Sequence, residues 1–331
     1  MTIHDRRGLK SAAADALACA PNAKQLVLLW AAVNTVLPLL VSVLNFILNA
    51  QIAQTGGLSG IGLRSVLSTA QEALSSIMSI LMPFWNLGYT AAMLRIYRKE
   101  ATYHKTLLEG FRRFGPYLRL IFMMFFLFVA AGFASFYAGL TLLSFTSLAD
   151  PVYQILEQSQ SILSGTVDEA TMAMAQQAVM PIFLICCGIS LIVLVPMFYR
   201  LRMAEFCLLD SQHRSARLVM WESRKMMRRN CLQLFQLDLS FWWFYLAQVL
   251  LMALCYGDIL LPLLGITLPF SEDAAYFIFY IAALLAQFAL LYGCSNHVQT
   301  TYAAFYDTLR APEQEENPVM VDAVEIFPEN S

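Results

Sequence analysis

Six long runs of apolar residues constrain this chain more than any other feature of its sequence. Each run is about as long as the roughly 20 residues that an α-helix needs to cross a bilayer. A backbone in lipid must satisfy its own hydrogen bonds, which a helix does within a single segment. The runs are 25–50, 74–94, 117–145, 179–201, 237–264 and 274–298. We therefore predict six transmembrane helices, the last of which is expected to continue to Leu309.

The overall composition agrees with membrane insertion. Hydrophobic residues make up 59% of the 331 residues, and charged residues only 13%. That is about half the charged share of an ordinary soluble domain, which needs charge to cover its surface. The predicted fold class is therefore all-α: a polytopic membrane helix bundle with six transmembrane helices and cytoplasmic interfacial amphipathic helices. The net charge of -2 indicates no nucleic-acid partner.

The charged residues between the runs predict an orientation. Of the 21 Lys and Arg residues, 20 lie before the first run, between the second and third, between the fourth and fifth or after the last, if Arg119 and Arg200, at the ends of their runs, are counted with the segments they adjoin. The alternate segments contain only Arg64, together with acidic residues. Cytoplasmic segments carry the excess of Lys and Arg. We therefore expect both termini in the cytoplasm, which requires an even number of spans.

These boundaries divide the chain into three parts. Residues 1–24 form a cytoplasmic N-terminal segment with a short amphipathic helix at 11–19, and residues 25–309 form the six-span domain. Residues 310–331 form an acidic, proline-bearing tail that we expect to be disordered and cytoplasmic. On the opposite side, the polar connection 147–177 is predicted to form two short helices.

Two basic segments have the pattern of helices that lie at a membrane surface. In 211–231, apolar residues and Ser223 share one helical face, and cations occupy the other. The segment 105–115 is similar but shorter. Such helices bury an apolar face in the interface and direct their cations to anionic headgroups. The predicted headgroup contacts are Arg217, Arg224, Lys225, Arg228, Arg229, Arg112 and Arg113.

A group of polar residues at the cytoplasmic ends of the fourth and fifth runs is the candidate site. Arg202 and Glu205 are three residues apart, which predicts one helical face, and Asp238 lies at a similar depth. The group could bind a headgroup or solute, or its ion pairs could fix helix packing. The full set is Arg202, Glu205, Asp210, Ser223, Arg224, Asp238 and Ser240.

No residue pattern predicts catalysis or metal binding. The sequence contains no Walker loop, no GxSxG and no HExxH. The seven cysteines and four histidines do not repeat at metal-ligand spacing. We therefore expect no enzyme activity, no catalytic residue, no metal and no cofactor.

The spacing of Ala131, Ser135 and Gly139 predicts close helix approach or dimerisation.

The stretch 196–243 resembles a known family. The residues that carry the resemblance are Arg202-Met203-Ala204-Glu205-Phe206, Leu209-Asp210, Glu222-Ser223-Arg224-Lys225-Met226-Met227 and the run 235–241. They resemble the bacterial integral membrane family known as domain of unknown function 975, common in Firmicutes. The run 110–114 is similar to that family's first cytoplasmic helix. One position departs, because Arg229 stands where the family pattern has glycine.

The resemblance extends from about residue 24 to residue 309 and implies a multi-pass protein of the bacterial plasma membrane. The family has no established activity. It is distantly similar to membrane domains attached to glycerophosphodiester phosphodiesterases, which implies a lipid-associated role.

Together these features predict a non-enzymatic integral membrane protein. We expect it to interact with anionic lipids, or with a membrane partner, through its basic cytoplasmic face. The alternative is a small-solute or lipid transporter or export component, which requires a water-accessible cavity that reaches Asp238 or Glu205. The sequence leaves the oligomeric state open.

Overall fold

The computed structural model describes residues 5–54, 59–145, 169–211, 215–257 and 272–316. Within these ranges the chain forms helices joined by short connections, and no strand occurs. The predicted all-α fold class is therefore confirmed.

The helices follow one another along the chain with few intervening residues. Their bounds are α1 Arg6–Cys19, α2 Ala23–Gln54, α3 Ser59–Tyr97, a 3₁₀ helix His104–Leu108, α4 Glu109–Arg112, α5 Phe114–Leu143, α6 Glu169–Leu201, α7 Ala204–Asp210, α8 Ala216–Met227, α9 Cys231–Leu239, α10 Trp242–Cys255, α11 Glu272–Leu290, a π-helical turn Leu291–Ser295 and α12 Asn296–Glu316.

Among the described residues, five segments are long and apolar enough to cross a membrane. They are Ala23–Leu44, Ser65–Tyr97, Phe114–Leu143, Pro181–Asp210 and Phe277–Ala311. A sixth is obtained if α9 and α10, which are bent by 66° at their junction, form one broken span. The count of six is therefore the upper value, and the chain has the helices of a multi-pass membrane protein.

Several predicted boundaries differ from the structure. The segment 105–115 is not one helix, because the backbone at Arg113 (φ -101°, ψ 28°) separates α4 from α5. Residues 169–177 of the predicted outer connection belong to α6, and 147–168 lie outside the described residues. The first residues of the predicted tail belong to α12, which continues to Glu316 because helix propagation is cooperative. Residues 317–331 lie outside the described ranges.

The chain divides into two compact units. Unit 1 comprises Met1–Tyr117, Glu205–His213 and Leu232–Ser331, and unit 2 comprises Leu118–Ala204 and Arg214–Cys231. In unit 1, a stacked pair joins α2 to α3: the rings of Trp30 and Tyr89 lie 3.9 Å apart at 10°. The indole N–H of Trp30 donates to the side chain of Asn86 at 3.0 Å. Ring stacking and the hydrogen bond to the Asn86 amide thus fix these two helices inside an apolar core.

Two glycines let the segment after α3 pack directly on α3. A Cβ atom at Gly88 would lie 1.8 Å from the carbonyl oxygen of Leu107, and one at Gly110 would lie 1.9 Å from that of Phe84. Both obstructing atoms belong to the backbone, so neither can move aside as a flexible side chain would. Only glycine fits this backbone-to-backbone contact at either position.

Unit 2 contains the antiparallel neighbours α5 and α6. A Cβ atom at Gly139 of α5 would lie 3.3 Å from the sulfur of Cys186 on α6, so the small-residue spacing supports close approach within this chain. On the outside of these helices, Phe126 is 64% exposed and Ile192 is 73% exposed. Apolar surface of this extent is typical of a lipid-facing or partner-facing helix.

We predict that alanine at Gly88 or Gly110 destabilises the protein. The added methyl group would force the two backbones apart, and overpacking of this kind costs about 2 kcal/mol. Thermal unfolding of the purified protein in detergent, followed by circular dichroism, measures the effect. Gly115→Ala is the matched control, because no atom lies within 4 Å of its Cβ position. Equal melting temperatures for all three variants would contradict this packing.

Candidate functional site

The amphipathic helix α8 has the face that its sequence predicts. Its buried residues are Ala216, Val219, Met220, Ser223 and Met227. The cations Arg217, Arg224, Lys225, Arg228 and Arg229 are all exposed. The predicted division of this segment into a buried face and a cationic face is confirmed.

A hydrogen bond from Ser223 attaches α8 to the end of α6. The hydroxyl of Ser223, which is fully buried, donates to the backbone carbonyl of Arg200 at 2.9 Å. The last carbonyls of a helix have no partner within the helix and need one from elsewhere. Ser223 therefore both closes α6 and sets the position of the cations that follow it on α8.

These two helices enclose an open groove of about 790 Å³ within unit 2. Apolar residues of α6, cations from both helices and Trp221 line it. The complete lining is Ile192, Val193, Pro196, Met197, Arg200, Trp221, Arg224, Lys225 and Arg228. The groove is thus amphipathic along its length.

The arginines of this groove are available to a ligand. In the part of the chain that the structure describes, Arg200, Arg224 and Arg228 take part in no ion pair. The ammonium of Lys225 lies 5.7 Å from the ring centre of Trp221, a cation–π distance. Guanidinium groups present paired N–H donors that match phosphate oxygens.

The other predicted site residues are distributed over both units. Arg202, Ser223 and Arg224 belong to unit 2, and the remaining four belong to unit 1. Arg202 lies in a turn between α6 and α7, and the helical face predicted for Arg202 and Glu205 stays a prediction. The guanidinium of Arg202 lies over the ring of Phe198 at 5.4 Å. The carboxylate of Glu205 accepts from the hydroxyl of Tyr117 at 3.1 Å.

Asp210 is the centre of an ion network in unit 1. Arg98 donates to both of its carboxylate oxygens, at 2.6 and 2.9 Å, and also to Asp307 at 2.6 Å. Arg310 pairs with the same carboxylate, and the hydroxyl of Tyr306 donates to it at 2.8 Å. These bonds join the C-terminal ends of α3 and α7 to the middle of α12. The hydrogen bonds to Asp210 are the main reason that the pKa of Arg98 lies above its usual range.

Asp238 and Ser240 lie at the bend between α9 and α10. The hydroxyl of Tyr302 donates to Asp238 and is itself bonded to the hydroxyl of Tyr245. The ammonium of Lys10 donates to the carbonyl of Ser240 at 3.0 Å. Burial, and then the nearby charge of Arg6, lowers the pKa of Lys10. The bend is therefore held by contacts from α1 and α12.

The two arginines of the first basic segment differ in their surroundings. Arg113 donates to the carbonyls of Leu208 and Leu209 at the end of α7, which uses its donors within unit 1. The headgroup contact of Arg113 stays a prediction. Arg112 is exposed and lines a second groove of about 510 Å³ with Lys105 and neighbouring residues. Arg112 remains a candidate for headgroup contact.

Sequence reasoning missed several residues of the groove and of the ion network around Asp210. The charge pattern assigns Arg200 only to a basic segment. The spacing of residues 192, 196 and 200 places it at the end of an apolar stripe on one helical face. No sequence signal pairs Arg98 with Asp210, because the two are 112 residues apart. Among the described residues, no three His, Cys, Asp or Glu side chains form a group that could hold a metal ion.

A family model described as Protein of unknown function (DUF975) matches residues 1–313. The chain belongs to this family. The match includes α8, its groove and the ion network, so all three lie inside the DUF975 region. No significant match was found among curated proteins or among solved structures. The resemblance to glycerophosphodiester phosphodiesterase membrane domains stays a prediction.

We predict that Asp210→Asn destabilises this DUF975 protein more than Asp307→Asn does. Asp210 neutralises two arginines and its side chain is 12% exposed, whereas among the described residues Asp307 pairs with Arg98 alone and its side chain is 23% exposed. Breaking a buried pair costs about 3 kcal/mol, and breaking a more accessible one costs less. Thermal unfolding in detergent compares the two variants. Equal melting temperatures of the two variants would show that Asp210 contributes no more to stability than Asp307.

Proposed function

We propose that this protein is a non-enzymatic component of the bacterial plasma membrane that binds anionic lipid headgroups through its basic cytoplasmic side. The observation that carries the proposal is the structure of α8. One face of this helix is buried, and five cations in the helix or within two residues of its C-terminal end, Arg217, Arg224, Lys225, Arg228 and Arg229, are exposed.

Membrane electrostatics favours this partner for α8. The cytoplasmic leaflet is rich in anionic lipids, and each Lys or Arg near it contributes about 1 kcal/mol of attraction. The exposed indole of Trp221 lies among these cations, and Trp is enriched at membrane–water interfaces. An interfacial position of α8 would satisfy its apolar, aromatic and cationic residues together.

Transport is a second candidate, supported by the bend of 66° between α9 and α10. Discontinuous helices with polar groups at the break form the ion and substrate sites of many transporters. At this break, however, Asp238 already accepts from Tyr302, and the Ser240 carbonyl accepts from Lys10. The polar groups of the bend are thus used by the protein itself, and lipid binding is the better-supported function.

The orientation is open to a direct test. Because nearly all Lys and Arg residues lie on one predicted side, we expect both termini in the cytoplasm. Alkaline phosphatase fused after Ser331 in a bacterial host should be inactive, and a green fluorescent protein fused there should fluoresce. An active phosphatase fusion would place the C-terminus outside and would remove the basis for headgroup contact in the cytoplasmic leaflet.

Lipid preference tests the proposal itself. The full-length protein is incubated with mixed micelles of equimolar phosphatidylcholine and phosphatidylglycerol, and lipid retained after size exclusion is quantified by mass spectrometry. We expect enrichment of phosphatidylglycerol that weakens with salt, because exposed charges are screened beyond about 10 Å at 0.1 M ionic strength. Replacing the five exposed cations of α8 by Gln should abolish the enrichment.

The matched control replaces exposed cations away from α8. Arg7 and Lys24 are exposed and belong to the same predicted side of the membrane. Arg7→Gln/Lys24→Gln should retain most of the preference for phosphatidylglycerol. Equal retention of the two lipids by the wild-type protein would refute the proposal.

A further inference from the structure

Beyond general attraction to an anionic surface, we propose that the groove between α6 and α8 is a binding site for one anionic phospholipid molecule. This inference rests on the proposed function and makes it specific. An acyl chain would lie against Ile192, Val193, Pro196 and Met197, and the phosphate would be bound by Arg200, Arg224 and Arg228.

Each helix contributes one stripe of residues to the lining of the groove. On α6, residues 192, 193, 196, 197 and 200 fall on one face, and all but the last are apolar. With a rise of 1.5 Å per residue, the stripe is about 12 Å long and ends at Arg200. An amphiphile with an apolar chain and an anionic head matches this stripe, because its chain would lie on the apolar residues and its head at Arg200.

The cations of α8 converge on the charged end of that stripe. Trp221, Arg224, Lys225 and Arg228 are spaced by three, one and three residues, so they share one helical face. The Ser223 bond to the carbonyl of Arg200 connects the two stripes where the charges meet. The guanidinium groups are therefore positioned by the fold, whereas a mobile basic tail would have to order its side chains on binding.

The apolar part of the groove favours a lipid over a soluble phosphate compound. Ile192 is 73% exposed and Val193 is 45% exposed within a segment long and apolar enough to span the membrane. A soluble phosphate would leave these side chains uncovered, whereas an acyl chain would cover them. The volume of about 790 Å³ is within the range of ligand sites and accommodates a headgroup with part of its chains.

Charge variants separate this site from the general basic surface. Arg224 and Arg228 line the groove, while Arg217 in α8 and Arg229 just after it do not. We expect Arg224→Gln/Arg228→Gln to weaken retention of phosphatidylglycerol by the full-length protein about tenfold or more. The loss of the charge-assisted hydrogen bonds made by two guanidinium groups accounts for a change of this size. The control Arg217→Gln/Arg229→Gln should weaken it less than threefold.

Apolar variants test the acyl-chain part of the groove. Val193 lines the groove and Val195 does not, although both belong to α6 and both are 45% exposed. Val193→Trp should fill the groove and reduce the bound lipid from about one molecule per chain, measured by native mass spectrometry. Val195→Trp should leave the stoichiometry unchanged. Far-ultraviolet circular dichroism and the melting temperature identify any variant that fails to fold, and Arg200→Gln then provides an independent change inside the groove.

The outcomes separate the two proposals. If the wild-type protein prefers phosphatidylglycerol but the groove and control variants behave alike, the groove is not the site, and binding by the basic face stands. If the wild-type protein shows no preference, the proposed function fails as well. If glycerol 3-phosphate displaces the lipid at equal concentration, the ligand is a soluble phosphate compound and the lipid proposal is overturned.

Discussion

The requirement that a backbone in lipid satisfy its own hydrogen bonds governs this whole structure. Every long apolar run in the described ranges is a helix, because a helix pairs its N–H and C=O groups within one segment. The same requirement makes the helix ends the sensitive points, since the terminal carbonyls have no partner within the helix.

Distant side chains supply those partners at three helix ends. Ser223 donates to the carbonyl of Arg200 at the end of α6, and Arg113 donates to the last carbonyls of α7. Lys10 donates to Ser240 just after α9. Cations suit these positions because the C-terminus of a helix carries partial negative charge. Part of the positive charge that appears in the sequence as a basic surface is therefore used inside the fold.

The local sequence pattern predicted the features that depend on residue spacing within one helix. The buried face of α8 follows from residue spacing alone, since a helix that packs on one side repeats its contacts every three or four residues. Gly110 belongs to the motif that carried the family resemblance, and the structure supplies its reason: it lies against the carbonyl of Phe84. Arg112 and Arg113 are adjacent and chemically identical, yet only Arg113 reaches the carbonyls of α7. Composition could not distinguish them.

The sequence by itself predicted an all-helical chain, six membrane-spanning segments and cations that lie mainly in alternate connections. These properties follow from hydropathy and charge, which act residue by residue. Only the tertiary structure decided which polar residues meet. It placed Asp210 with Arg98 and Arg310, and it joined the apolar stripe of α6 to the cations of α8. Such pairings depend on which helices become neighbours, and no local pattern encodes that choice.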